Sequence, residues 1–412
     1  MKRTILTVIL CLLSAAILAG VVWLVVCMIP KYVEPGIGDP AVGQTGELSA
    51  AQRDPEHNRV MQAQVVDQTP DEFAASMKLT LMALGDNLIH NCVYWSAQTS
   101  DGGYDFLPFY ADIMPTLAQY DLACINQETI LVHDEYNVSN YPLFGTPEVI
   151  ADDLAEAGFD VVTHATNHCY DKLETGLNDT LSYWKNHSEI TVLGIHGTEE
   201  DTPYRIVEKN GIRLALFNYT YGVNGALPEQ RSRIDLLDDP GRVQKQIQSA
   251  QSLCDFTIVF AHWGNEDSFT PSTAQQNWAQ ALADAGADLI IGGHPHVVQP
   301  LEQITAEDGR IVPVFYSLGN FLSHQIEAKN MLGGMASVTL EWDQNGKVVV
   351  SDCQLLPTVN VIIRKENSDW YLYRPMLLSD YTDEIAAKHH ISGTSVQEMN
   401  DLFRQITDIG EP

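Results

Sequence analysis

The chain has 412 residues, 45% of them hydrophobic and 19% charged, an ordinary globular composition that excludes a disordered or collagen-like polypeptide. Lys and Arg number 23 against 54 Asp and Glu, a formal charge of −31, and a body that acidic repels phosphate backbones, so broad nucleic-acid binding is excluded. The length allows two or three domains of usual size, or one large α/β domain with appendages.

Lys2 and Arg3 precede a run from Thr4 to Ile29 that holds no charged residue. A helix needs about 20 apolar residues to cross a bilayer core, so this run is long enough to span with some tilt. It ends Val25-Val26-Cys27-Met28-Ile29-Pro30, which offers neither a small-x-small cleavage site nor the small residue expected before a lipid-bearing cysteine. Residues 1–30 therefore read as an uncleaved signal anchor rather than a removed signal peptide. The positive-inside rule places Lys2 and Arg3 in the cytoplasm, giving a single-pass cell-membrane protein with its C-terminal domain extracytoplasmic. Residues 31–77 are rich in Pro, Gly, Gln, Glu and Asp without a sustained apolar period, the composition of a disordered stalk. The five cysteines beyond the apolar run are odd in number and widely spaced, so free thiols are expected.

From Lys78 the pattern changes. Leu79–Leu84 is a short apolar run closed by Gly85-Asp86, the form of a buried strand ending in a loop. Thr146-Pro147-Glu148 predicts a helix start, followed by Val149, Ile150, Leu154 and Ala157 on one face, with Gly158 as the stop. Leu173, Leu177, Leu181 and Trp184 mark a second helix. A third runs from Pro271 to Ala285, with Ala274, Trp278, Ala281, Leu282 and Ala285 as its apolar stripe and Gly286 as its stop. Asn210-Gly211, Asp308-Gly309 and Asn345-Gly346 each predict a hairpin turn. These signals predict a mixed α/β domain over 78–360 and an extension over 361–412 with a final helix near Ser395–Ile406. A faint echo links Glu156–Val162 to Asp284–Ile290, and two further apolar runs also begin with Asp, at Asp121 and Asp255.

The residues after each apolar run carry the chemistry. Asp86 follows the first; Asn126 and Glu128 follow Leu122–Ile125; Asn167, His168 and Asp171 follow Phe159–Thr163. Thr257–Ala261 leads to His262 and Glu266, and Leu289–Ile291 leads to His294 and His296. In open parallel sheets ligands bind at the carboxyl edge, so these side chains should converge. Carboxylates, an amide oxygen and imidazoles together suit Mn, Fe or Zn. The ligands exceed what one open catalytic ion needs, so two divalent metal ions sharing a carboxylate are expected. Each element alone is weak. A lone Gly-Asp is usually a turn, and most single histidines are core residues with satisfied hydrogen bonds. His164, His196, His324, His389 and His390 are assigned that bland role, and His90 is left open.

The ordered set Gly85-Asp86, Asn126-Gln127-Glu128, Ala165-Thr166-Asn167-His168-x-x-Asp171, His262-Trp263-Gly264-x-Glu266, Gly293-His294-Pro295-His296-Val297 and Tyr316–Phe321 resembles the CapA family. These are bacterial poly-γ-glutamate capsule synthesis proteins related to the calcineurin-like metallophosphatases. The resemblance spans about residues 79–356 and implies a four-layer α/β/β/α metallophosphatase-like sandwich with a dinuclear site, often behind an N-terminal membrane anchor. By the same resemblance, Asp86 and His296 would hold one ion and Asn167, His262 and His294 the other, with Glu128 bridging. His168 would be the general acid, with Asp171 or Glu266 orienting its neighbours. The sequence departs from the pattern at Leu88, where the metallophosphatases place a histidine, at Gly293, where the family often has one, and at Leu173, where the family tends to have glycine. The resemblance implies a part in surface polymer assembly with a metal-dependent hydrolase site acting on a phosphoester or amide. A non-catalytic scaffold or export component of a polymer synthase complex is the alternative, favoured slightly by Leu88. Polymer synthase subunits and an anionic polymer are the implied partners, although an acidic body repels a polyanion unless cations or salt intervene.

Overall fold

In the computed structural model, residues 78–197, 202–225 and 227–410 are described. The uncharged run Thr4–Ile29 and the stalk over 31–77 lie outside them; among the described residues no helix is long and apolar enough to cross a membrane. In chain order the strands are β1 (Lys78–Asn87), β2 (Leu122–Gln127), β3 (Leu131–Val132), β4 (Thr146–Pro147), β5 (Val161–Thr163) and β6 (Thr191–Leu193). Then follow β7 (Tyr204–Lys209), β8 (Ile212–Thr220), β9 (Phe256–His262), β10 (Leu289–Gly293), β11 (Leu301–Thr305) and β12 (Ile311–Phe315). The last are β13 (Asn320–Leu322), β14 (Leu332–Trp342), β15 (Val348–Arg364) and β16 (Tyr371–Leu377).

Two sheets form from these strands. One has the order β16-β15-β14-β1-β2-β5-β6, with β13 pairing β1, and the other the order β11-β12-β10-β9-β8-β7. β1, β2, β5 and β6 run parallel in the first sheet, and β8, β9, β10 and β12 in the second. The three predicted hairpin turns each join antiparallel neighbours: β7 to β8, β11 to β12 and β14 to β15.

The layering follows from the twofold alternation of strand side chains. On one face of β1, Leu79, Leu81 and Ala83 share a buried cluster with Ile258, Ile291 and Phe315 of the second sheet. On its other face, Met82 and Leu84 join a cluster with Tyr110, Ile150 and Leu154 from the helical side. The outer face of the second sheet, including Phe217, Val259 and Ile290, packs with Val243, Ile247, Ala279 and Leu282 from the helices Pro240–Ala250 and Thr273–Ala285. The stack is therefore helix, sheet, sheet, helix, as expected.

Several local expectations are corrected. Thr146-Pro147 does not open a helix: these residues are β4, paired in parallel with Leu131–Val132, and the helix begins at Ile150 and ends at Gly158 in a left-handed cap. The helix expected from Pro271 begins at Thr273, because Ser272 is its N-cap in a capping box with Gln275. Its buried face is Gln275, Ala279, Leu282, Ala283 and Ala285, and Ala274 is exposed. Leu173 does not join the buried stripe of its helix; it is 60% exposed at φ 53, while Leu177 and Trp184 are buried. A left-handed residue at this position explains why glycine suits it. A boundary after residue 360 falls inside β15, and the residues beyond it continue the same sheet and core. β16 pairs with β15, and Tyr373, Met399 and Ile406 are buried in the same cluster as Met82. The final helix is Val396–Thr407, capped by Ser395. All five described cysteines are free.

Candidate metal centre

Both sheets point the carboxyl ends of their parallel strands to one place. β1 ends at Asp86-Asn87, β2 at Asn126-Gln127 just before Glu128, β9 at His262, and β10 at Gly293 just before His294. Gly293 is required by close approach: a Cβ there would lie 2.7 Å from Asp86 Oδ1. Past it the chain turns through two left-handed histidines, His294 at φ 94 and His296 at φ 59. Such conformations are costly for residues with a Cβ and persist where the surroundings fix them. Here the His294 N–H donates to Asp86 Oδ2 at 3.2 Å, and Asn330 Nδ2 donates to the His296 carbonyl at 3.1 Å.

The side chains expected to hold metal are brought together. Ligand atoms of Asp86, Glu128 and His296 lie within 4.8 Å of one another, as do those of Glu128, His262 and His294. Glu128 belongs to both groups. Asn167 Oδ1 stands 2.8 Å from His262 Nε2, which is 3.6 Å from Glu128 Oε1. His296 Nε2 is 3.8 Å from the same carboxylate oxygen, and its Nδ1 is 3.1 Å from Asp86 Oδ2. Glu266 is exposed, and its carboxylate forms a third such group with His294 and His296. Leu88 is buried in the core and supplies no ligand.

A second circle of amides fixes the first. Asn126 Nδ2 donates to Asp86 Oδ1 at 2.8 Å, and its own Oδ1 accepts from Thr163 Oγ1 at 2.8 Å. Asn320 Oδ1 lies 3.1 Å from His296 Nδ1, and Asn320 Nδ2 donates to Gln325 Oε1 at 2.7 Å. His168 sits beside this cluster, its Nδ1 2.6 Å from Asp171 Oδ2, which also accepts from the Phe144 N–H at 2.8 Å. Asn224 Nδ2 lies 3.2 Å from His168 Nδ1. Asn224 and Tyr221 carried no signal in the sequence, because neither falls in a ligand-spaced motif. Asn126 and Asn320 lie in quoted motifs, but their part in steadying Asp86 and His296 shows only in three dimensions.

The electrostatics are those of a site built for cations. Both carboxylate oxygens of Glu128 are buried without any hydrogen-bond partner, and so is Nδ1 of His294. Buried polar atoms are nearly always paired, so three orphans in one cluster call for a partner of positive charge. Burial pushes the Glu128 carboxyl well above its ordinary range, with Asp86 and Glu266 adding to the rise. Burial also lowers His262 well below the usual imidazole value and His294 to about 3, so both are neutral and free to ligate. His296 goes the other way: burial opposes its charge, but Glu128 and Asp86 outweigh it and raise it to about 10. The donor set, its orphaned atoms and their spacing fit divalent metal ions.

The remaining histidines have other partners. His164 Nε2 accepts from Trp184 Nε1, His196 pairs with Asp235, His324 with Tyr373, and His389 with the Asn360 carbonyl, while the exposed His390 packs near Tyr371. His90 Nδ1 accepts from the His324 N–H at 3.1 Å, and its ring meets Phe144 edge-on.

A family model described as bacterial capsule synthesis protein PGA_cap matches residues 80–325. The capsule biosynthesis protein CapA of Bacillus anthracis is 31% identical over 267 residues, covering 62% of this chain and 62% of that protein. The PGA biosynthesis protein CapA of Bacillus subtilis (strain 168) is 27% identical over 216 residues, covering 52% of this chain and 56% of that protein. The chain thus spans less than two thirds of the length of either relative. Among solved structures, an NAD nucleotidase from Haemophilus influenzae is 14% identical with a TM-score of 0.45, covering 80% of this chain and 59% of the other.

Proposed function

The chain belongs to the bacterial capsule synthesis protein PGA_cap family, and from that premise we propose that it is a membrane-anchored, extracytoplasmic protein of surface polymer biosynthesis whose strand-end pocket is a metal-dependent hydrolase site of the metallophosphatase kind. The observation that carries the site is Glu128: a fully buried carboxylate with no hydrogen-bond partner, shared between two ligand groups. Asp86, Glu128 and His296 would hold one ion, and Glu128, Asn167, His262 and His294 the other. Divalent ions bound there supply Lewis-acid polarisation of a substrate oxygen and activation of water.

The protein's own residues do the rest. Asp171 accepts the Nδ1 proton of His168, fixing the ring and leaving Nε2 to exchange a proton with the leaving group. Asn126 and Asn320 keep Asp86 and His296 from rotating out of register. The bond broken is a phosphoester or an amide. The membrane reading is supported by the uncharged run Thr4–Ile29 behind Lys2 and Arg3. Contact with polymer synthase subunits, and with poly-γ-glutamate through bound cations, is part of the same proposal.

The test is the full-length chain loaded with Mn, Zn or Fe and offered generic phosphodiesters and polyglutamate. Metal-dependent turnover that disappears in His168→Ala supports the hydrolase. Stoichiometric metal with no turnover on either substrate supports the scaffold, which Leu88 in place of a ligand favours. Removing His262 and Asn167 together should abolish uptake at the second ion; unchanged metal content by elemental analysis would refute the ligand assignment.

A further inference from the structure

The loop that leaves β8 has no role in the ligand set, yet it is tied to the site at three points. The Tyr221 N–H donates to the His262 carbonyl at 2.9 Å, the Asn224 N–H donates to the Asn167 carbonyl at 2.8 Å, and the Asn224 side chain reaches the His168 ring. The loop therefore spans from one candidate ion position to the proton-exchanging histidine. On it, the Tyr221 ring stands 4.8 Å from the His294 ring, tilted by 48°. The side chain is 47% exposed, and its hydroxyl makes no hydrogen bond to any described residue. A tyrosine hydroxyl keeps its proton at neutral pH and can donate it in a hydrogen bond. The chain thus places a half-exposed tyrosine ring, with its hydroxyl unused, against the imidazole of a ligand. A tyrosine serving only to wall in His294 would need its ring and not its hydroxyl.

We propose that Tyr221 contacts substrate directly, its O–H donating a hydrogen bond to an oxygen of the reacting phosphoryl group. This rests on the metal-hydrolase reading of the same pocket. The donor is a neutral one, which suits a site lined by Asp86, Glu128 and Glu266. It adds a directed contact to the substrate oxygen, and the charge there develops further as the bond breaks. Phenylalanine at this position keeps the ring against His294 and removes only the donor.

The experiment uses the full-length chain, Mn²⁺ as the metal and inorganic phosphate as the anion. Mn²⁺ affinity is read by paramagnetic resonance, and phosphate affinity by calorimetry on the Mn-loaded protein. Tyr221→Phe should bind Mn²⁺ as tightly as wild type and phosphate about ten- to a hundredfold more weakly, the range for a lost hydrogen bond to a charged group. Equal phosphate affinity in the two proteins overturns the role of Tyr221 while leaving the metal site standing. Weakened Mn²⁺ binding in Tyr221→Phe also overturns it, because the side chain would then act through His294. If wild type takes up Mn²⁺ but no phosphate, the phosphoryl contact is refuted. If wild type takes up no metal, the reading beneath it fails as well.

Discussion

The two ends of the parallel strands treat their acidic residues in opposite ways. At the amino ends, four aspartates repeat one arrangement. Asp121, Asp160, Asp255 and Asp288 each donate their own N–H to a carbonyl of the neighbouring strand, at Thr80, Ala123, Arg213 and Thr257. Each also accepts, through its carboxylate, the N–H of that same neighbour at 2.8 to 2.9 Å. Four strand starts, those of β2, β5, β9 and β10, are thereby clamped to a neighbouring strand, and the echo seen between Glu156–Val162 and Asp284–Ile290 is this clamp used twice. At the carboxyl ends, Glu128 has no partner for either oxygen, and His294 and His296 hold left-handed backbones. The four clamps mark where the fold is made, and the unpartnered Glu128 marks where it is put to use.

The largest expected effect comes from breaking the unsatisfied end. Glu128→Gln should weaken divalent-metal binding by at least about a hundredfold, the upper bound for losing an outer-sphere partner. It should also stabilise the metal-free protein by about 1–3 kcal/mol, because a neutral amide is cheaper to bury unpaired than a carboxylate. Calorimetric melting of both proteins in chelator checks the second half; a lower melting temperature for the variant would contradict it. The reverse pattern is expected at the other end. Asp160→Ala orphans the buried N–H of Ala123 and should cost about 1–3 kcal/mol in urea unfolding, with metal content unchanged.

Two smaller effects sharpen the contrast. Leu173→Gly removes an exposed side chain from a left-handed residue and should gain about 1 kcal/mol of stability by thermal melting. Asp255 tests the clamps by pH. The Arg213 guanidinium and backbone N–H hold its carboxyl below the usual range despite partial burial. A lowered carboxyl contributes stability above its unfolded value and loses it as pH falls through the folded one. Asp255→Asn should therefore melt below wild type at pH 7, and the gap should close as the buffer is taken below the carboxylate range. A gap independent of pH would show that the charge is not what matters.

Much of the site was legible because its chemistry is written next to strong local signals. Gly85-Asp86, Asn126–Glu128, Asn167–Asp171, His262 and His294–His296 each follow a short apolar run, and strand ends in a parallel sheet converge by geometry alone. What stayed hidden depends on partners distant in sequence. Thr146-Pro147 looks like a helix start until Leu131–Val132 pairs with it. The seventeen-residue β15 crosses residue 360 because it bonds β14 along one half and β16 along the other, which no single-strand pattern reveals. Tyr221 and Asn224 have no periodicity or spacing to betray them, and the supporting roles of Asn126 and Asn320, though both lie in quoted motifs, come from which side chain each one touches.

Gly85 shows how finely the first ligand is placed. A methyl group there would lie 1.9 Å from the carbonyl oxygen of Gly319, so the two backbones touch with no side chain between them. The next residue on each side is a working one, Asp86 and Asn320, and both reach the same nitrogen, Nδ1, of His296 at 3.1 Å. Anything bulkier than hydrogen at position 85 would wedge the two backbones apart and draw Asp86 and Asn320 away from the nitrogen they share, so a residue with no chemistry of its own acts as the spacer that sets their separation.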